Sequence, residues 1–191
     1  MMAQRRENRE AYISVDIEAS GPIPGKYSML SVGACVVGQN EISFYQELKP
    51  LNMSFVPEAL RVSRLSLDHL VVAGVPPREA MHGFQTWVAQ ACAGASPVFV
   101  GFNAAFDWSF VNWYFHEFLG TNPFGFGGVD IKSYYMGLAG KTWSRSSFSQ
   151  LPTEFQPDQK QTHNALDDAR SQAQVFERLL KWNRDRLKGG K

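Results

Sequence analysis

Apolar and polar residues alternate along Ala11–Ile17 (AYISVDI), where β-formers dominate, and that period of two predicts a strand. A turn is predicted at Gly21-Pro22-Ile23-Pro24-Gly25. Met29–Val37 (MLSVGACVV) reads as a second strand, and Glu41–Leu48 as a third after a Gly38-Gln39-Asn40 turn. The three make an antiparallel meander. Pro57–Ala73 and Pro76–Ala93 predict helices, each entered by a proline that suits a first helical turn. Pro97–Gly101 (PVFVG) is a short apolar run between breakers, which predicts a buried strand, and Phe106–Leu119 predicts a helix stopped by Gly120. Val129-Asp130-Ile131 reads as a short strand leading into a helix over Ile131–Leu138, and the polar segment Lys141–Lys160, with Pro152 and Pro157, as a loop. In Asn164–Leu187 the residues Leu166, Ala169, Ala173, Phe176 and Leu180 share one face at helical spacing, the clearest helix of the chain.

A meander followed by alternating helices and strands predicts an α/β fold, a mixed sheet flanked by helices. At 191 residues, with no internal repeat, the chain is expected to form one domain over residues 1–191, with 1–10 and 188–191 as flexible tails. Hydrophobic residues make up 44% and charged residues 19%, ordinary for a globular protein. No 18-residue apolar span predicts a transmembrane helix, and MMAQRRENRE lacks the apolar core of a signal peptide. Cys35 and Cys92 stand in apolar contexts outside any metal-ligand spacing, which fits buried thiols in a reducing compartment. A cytoplasmic location without a membrane partner is the expectation.

The net charge of +1 argues against a protein that grips long nucleic acid through a basic excess. Any nucleic-acid ligand is expected to be a short stretch, with metal ions supplying positive charge at the reacting phosphate. Three places carry candidate chemistry. Asp16 and Glu18 stand two apart at a strand end, so both carboxylates project from one face and repel unless a cation lies between them. Asp107 falls in a first helical turn after an apolar strand and the Gly101–Asn103 turn. The stretch from His163 to Asp168 enters the last helix. Each alone has an ordinary reading, as solvated strand-end acids or as acids favoured at a helix N-terminus.

In order, the D-x-E of Asp16 and Glu18, the G-F-N-x-x-F-D ending at Asp107, and the H-x-A-x-x-D from His163 to Asp168 resemble the three blocks of the DEDDh exonuclease family, which includes proofreading exonucleases, ribonuclease T and oligoribonuclease. The resemblance runs from about Ile13 to Phe176, and takes in MLSVGACVV and the HLVVAGVPPREAMHGFQTWV stretch. It implies an RNase H-like fold with a central five-stranded mixed sheet. It also implies a 3′→5′ exonuclease acting on single-stranded RNA or DNA 3′ ends by a two-metal mechanism with Mg²⁺ or Mn²⁺, hard cations that suit oxygen ligands. Carried over block by block, Asp16 bridges both ions, Glu18 and Asp168 complete one shell, Asp107 helps hold the other, and His163 is the general base, a role suited to an imidazole. Periodicity does not choose between Asp167 and Asp168; the family's five-residue step from His163 implies Asp168. Homodimers among such relatives imply a homodimer here by analogy.

Two positions depart from the family pattern. Ala19-Ser20-Gly21 stands where a Thr commonly follows the Glu, and Phe102 replaces the His of G-H-N. Ser20, Phe102, Asn103 and Phe106 are candidate substrate contacts, with Trp108 beside them. Bases stack on aromatic faces for ~1–3 kcal/mol each, although core packing competes for every such ring. Asn103 can orient substrate or satisfy its turn. His69, His82 and His116 lack acidic partners at ligand spacing and read as ordinary histidines. The Lys141–Lys160 loop is a candidate lid, and Arg5-Arg6 and Lys181–Lys191 are candidate phosphate contacts. A catalytically silent nucleic-acid-binding module on the same fold is the rival reading.

Overall fold

Ile13, Val15 and Ile17 leave the first strand on one side, and Ser14, Asp16 and Glu18 on the other; the fold is built outward from those two faces. The computed structural model describes residues 9–158 and 162–189. Strands β1 (Glu10–Ala19), β2 (Met29–Val36), β3 (Gln39–Glu47), β4 (Ser96–Gly101) and β5 (Gly128–Asp130) form one five-stranded sheet in the order β3-β2-β1-β4-β5. The first three pair antiparallel as a meander. β4 runs parallel to β1, and β5 parallel to β4. This is the mixed sheet of an RNase H-like fold.

Helices α3 (Pro77–Cys92) and α4 (Ala105–Leu119) cover the face that carries Ile13, Val15 and Ile17. Phe84, Phe99, Phe110, Tyr114 and Phe115 fill the space between them. Helices α5 (Ile131–Ala139) and α6 (Ala165–Gly189) cover the opposite face, where Ile131, Tyr135, Phe176 and Leu179 form a second cluster. The buried Tyr114 hydroxyl accepts a hydrogen bond from the Met29 amide at 2.7 Å and so ties α4 to the start of β2.

Gly33 of β2 sets how closely α6 approaches. A Cβ built there would lie 2.2 Å from the Ala165 carbonyl carbon and the Leu166 nitrogen. The first turn of α6 therefore rests on bare backbone opposite Asp16, the residue paired with Gly33. The buried face of α6 carries Ala165, Asp168, Ala169, Gln172, Ala173, Phe176 and Leu179. Leu166 and Leu180, expected on that face, are only half-buried at its margins. The narrow approach at Gly33 selects small residues where a hydrophobic count looks for leucines.

Three other segments differ from expectation. The helix predicted over Pro57–Ala73 is two helices, α1 (Pro57–Ser63) and α2 (Leu67–Ala73). Arg64, at φ 59°, ends the first, and the Ser66 hydroxyl caps the second by accepting from the His69 amide at 3.3 Å. The break turns Leu67 and Leu70 onto Leu30. The segment after α5, predicted as a loop and candidate lid, holds two short 3₁₀ turns at Trp143–Arg145 and Phe148–Gln150. Buried Leu151 and Phe155 fix it to the second cluster, so its described part is packed structure. Glu10 already belongs to β1, and α6 runs through Gly189. Arg9 is also described, its carbonyl accepting from the Ser96 amide, whereas residues 1–8, with Arg5-Arg6, and 190–191 lie outside the described residues. Among the described residues no helix is long and apolar enough to cross a membrane.

Candidate active site

β1 outruns its parallel neighbour. Its pairing with β4 ends at Ser14↔Val100, whereas β1 continues to Ala19. Beyond that point one edge of β1 lacks a strand, and a buried backbone N–H must find another partner. Asp107, in the first turn of α4, supplies it: its Oδ1 accepts from the Ile17 amide at 3.0 Å. The contact spans 90 positions of sequence and brings Asp107 beside the Asp16–Glu18 strand end. Asp130 fixes the turn before α4, accepting from the Ala104 amide at 3.1 Å.

The third block reaches the same place through a capped helix start. The Asn164 side-chain oxygen accepts from the Leu166 and Asp167 amides at 3.0 and 3.3 Å, satisfying donors that a helix N-terminus leaves open. His163 takes a left-handed φ of 59°. The Asp168 carboxylate accepts from the Thr162 and His163 amides at 2.8 and 3.1 Å, which folds the segment back over the helix start. Asp168 is buried, whereas Asp167 is half-buried and accepts from the Thr162 hydroxyl at 3.1 Å. It is therefore Asp168 that lies among the other acids.

The crowding of the acids shifts their protonation. Burial, then Asp107, Asp168 and Glu18, push the Asp16 carboxyl well above the usual carboxylate range, while the Gln172 amide opposes the shift. Burial, with Asp168 and Asp107, pushes Glu18 up to about 8. Burial also raises Asp107, against the Ile17 hydrogen bond that lowers it, and raises Asp168 against its two backbone donors. Each shift has the sign expected for dehydrated like charges sharing one site. Ligand atoms of Glu18, His163 and Asp168 all lie within 4.8 Å of one another, close enough to hold one metal ion. The carboxylate-rich donor set, with one imidazole and no thiolate, fits Mg²⁺ or Mn²⁺. His163, expected only as a base, thus also stands within ligand reach.

The candidate substrate contacts separate. Ser20 is fully buried; its hydroxyl donates to the Ser54 carbonyl and accepts from the Ser28 amide, at 2.8 and 2.9 Å, so it ties loops together. Phe102 is buried, its ring edge-on to Phe148 at 5.1 Å, so of its two readings, base stacking and core packing, it takes the second. Trp108 packs against Phe99 in the same way. Asn103 is exposed at φ 57°, and its carbonyl accepts from the Phe106 amide at 3.3 Å. Phe106 remains exposed and borders a cavity of about 420 Å³ whose wall also includes Glu18. Gln172 went unnoticed in the sequence. It lies four residues past Asp168, one helical turn on, a polar residue on the buried stripe.

Residues 13–176 match the family model described as RNase_T exonuclease. The chain is 47% identical over 172 residues to a protein named 3′-5′ DNA exonuclease Cap18 from Escherichia coli, covering 90% of this chain and 92% of that protein. Among solved structures, a full-length 3′-exonuclease superposes with a TM-score of 0.73 at 13% identity, covering 93% of this chain and 84% of the other. A 3′-exonuclease that recognises the histone mRNA stem-loop gives 0.72 at 12% identity, covering 90% of this chain and 63% of that one. The zinc-bound E. coli ExoI–single-stranded DNA complex gives 0.72 at 13% identity, with 95% of this chain spanning 42% of the larger enzyme. At such identities the structural likenesses speak for the fold alone. The family match spans most of the sequence and includes all three acid blocks, and this chain belongs to the RNase_T exonuclease family.

Proposed function

We propose that the chain is a divalent-metal-dependent 3′→5′ exonuclease that removes nucleotides from single-stranded DNA ends. The observation that carries this reading is the position of Glu18. The same side chain that crowds Asp16, Asp107 and Asp168 also walls a cavity bordered by Pro22, Val56, Ala59, Val62 and Phe106. A terminal nucleotide has an apolar, stackable base and a charged phosphate, and here an apolar cavity adjoins a carboxylate cluster built for cations. The base is placed against Phe106 and its neighbours, with the scissile phosphate beside the acids. A base stacked on Phe106 in this way comes from an unpaired end. The name of the 47%-identical relative supports DNA as the substrate.

Asp16, Glu18, Asp107 and Asp168 would hold the ions, Mg²⁺ or Mn²⁺, two per site by the family resemblance. The chemistry those ions supply when bound is stabilisation of charge on the attacking and leaving oxygens of phosphodiester hydrolysis. The chain's own residues do the rest. His163 is exposed, and its backbone is held by Asp168, so its imidazole can take a proton from the attacking water and return it to solvent. Asp107 keeps β1 and α4 in register through Ile17. A homodimer is part of the reading on the strength of the resemblance, and a cytoplasmic location on that of the two unpaired cysteines; light scattering decides the first.

A single-stranded oligodeoxynucleotide labelled at either end tests the proposal. With Mg²⁺, a 3′ label is expected to be released first and a 5′ label to report a ladder shortening one nucleotide at a time; EDTA abolishes both. Digestion that persists without metal contradicts the mechanism. Metal-dependent binding without digestion favours a silent binding module instead.

A further inference from the structure

Gln172 is 1% exposed, on the face of α6 turned to the sheet, and its side chain spans two parts of the site. Its Oε1 accepts a hydrogen bond from the Phe102 amide at 2.8 Å, and its Nε2 donates to Asp16 Oδ1 at 2.5 Å. The two contacts depend on each other. A carboxamide has one accepting end and one donating end, and a backbone N–H only donates. Phe102 therefore fixes which end is oxygen, and the NH₂ is thereby aimed at Asp16. Turned over, the amide would set donor against donor at Phe102, and acceptor against acceptor at the ionised, metal-binding form of Asp16, leaving buried groups unsatisfied.

The geometry points to Gln172 as a positioning residue that orients the Asp16 carboxylate for divalent cations by holding one of its oxygens and leaving the other free to coordinate. Phe102 opens the turn leading to Asp107, Asp16 belongs to β1, and Gln172 follows Asp168 on α6. One buried amide thus joins the three blocks. The resemblance assigns Gln172 no role. The inference rests on the metal-dependent reading proposed above.

Gln172→Met keeps the volume and burial while removing both polar ends. Mn²⁺ binding, followed by electron paramagnetic resonance without nucleic acid, is expected to weaken about tenfold or more, within the roughly 10–100-fold range for residues that orient metal ligands. At saturating Mn²⁺ the KM for an oligonucleotide stays within about twofold of the unaltered protein, because binding of the substrate base is untouched. Phe176→Leu, on the same helix and away from Asp16, lowers the melting temperature and leaves Mn²⁺ binding intact. Should the methionine variant not fold, Gln172→Asn, too short to reach both partners, is expected to weaken Mn²⁺ equally. A Gln172 variant whose isotherm superimposes on that of the unaltered chain overturns the inference alone. Equal weakening by Phe176→Leu also overturns it, because a loosened helix would then suffice. If the unaltered chain binds no Mn²⁺, the inference and the metal-dependent reading fall together.

Discussion

The two faces of one strand meet different demands. On one side of β1, Ile13, Val15 and Ile17 join a cluster of large rings under α3 and α4, in which Phe84 stacks near Phe44 and Phe115 with centroids 5.1 and 5.6 Å away. On the other side, α6 is brought close over Gly33, and the buried groups are Ser14, Asp168 and Gln172, with Asp16 half-buried beside them. Among the described residues Ser14 Oγ, buried there, finds no hydrogen-bond partner, and burial pushes the acids toward their protonated forms. The aromatic face is organised by volume and stabilises the fold. The α6 face holds dehydrated like charges that oppose folding until a cation joins them. Stability and activity should therefore separate along this strand.

The sharpest break is Asp16→Asn, expected to abolish Mn²⁺ binding and turnover while raising the melting temperature in EDTA at pH 8. The sign follows from linkage. Acids whose folded pKa is raised hold protons more tightly folded than unfolded, so metal-free stability is fullest at low pH. It is lost as pH climbs from the ordinary glutamate value of 4.5 through about 8, the Glu18 value. An Asp16→Asn protein no more stable than its parent in EDTA would count against this contrast. His163→Ala is expected next, slowing hydrolysis ~10²–10⁴-fold with Mn²⁺ still bound by the carboxylates. Calorimetry showing Mn²⁺ affinity lost as fully as in Asp16→Asn would reassign the imidazole as an essential ligand. Gly33→Ala displaces the start of α6, and a shift near 1 Å is expected to cost about 10²-fold in kcat and ~1–3 kcal/mol in stability by denaturant titration. Unchanged kinetics there would show that α6 tolerates the displacement. Smallest in its effect on chemistry is Phe84→Ala, which costs ~3–5 kcal/mol of stability and leaves kcat per folded molecule nearly unaltered.

The same contrast explains what was legible in the sequence. The aromatic face advertises itself, since alternation in β1 and apolar runs in β2 and β4 report directly on burial, and the sheet follows from them. The acids were legible only as a series, through the resemblance of their three blocks to the DEDDh family, because each block alone has an ordinary reading. Side chains that work by polar satisfaction gave less signal. Ser20 reads as a free hydroxyl until Ser28 and Ser54 are seen to occupy it. Phe102 stays open between base stacking and core packing until Phe148 is seen against it. Gln172 falls on the buried stripe of α6 one turn past Asp168, but that periodicity does not name its partners, which lie 70 and 156 positions away. The break at Arg64 turns on one left-handed residue, which a proline-led helical pattern hides.

Mn²⁺ calorimetry at pH 7, in two buffers of different ionisation enthalpy, tests the central claim most directly. With Glu18 raised to about 8 and its neighbours also raised, the metal-free site carries protons at that pH, and cations must displace them. The account predicts binding with net proton release, shrinking at pH 9, where fewer protons remain to be lost. Binding with no buffer dependence at pH 7, or no binding at all, would contradict it.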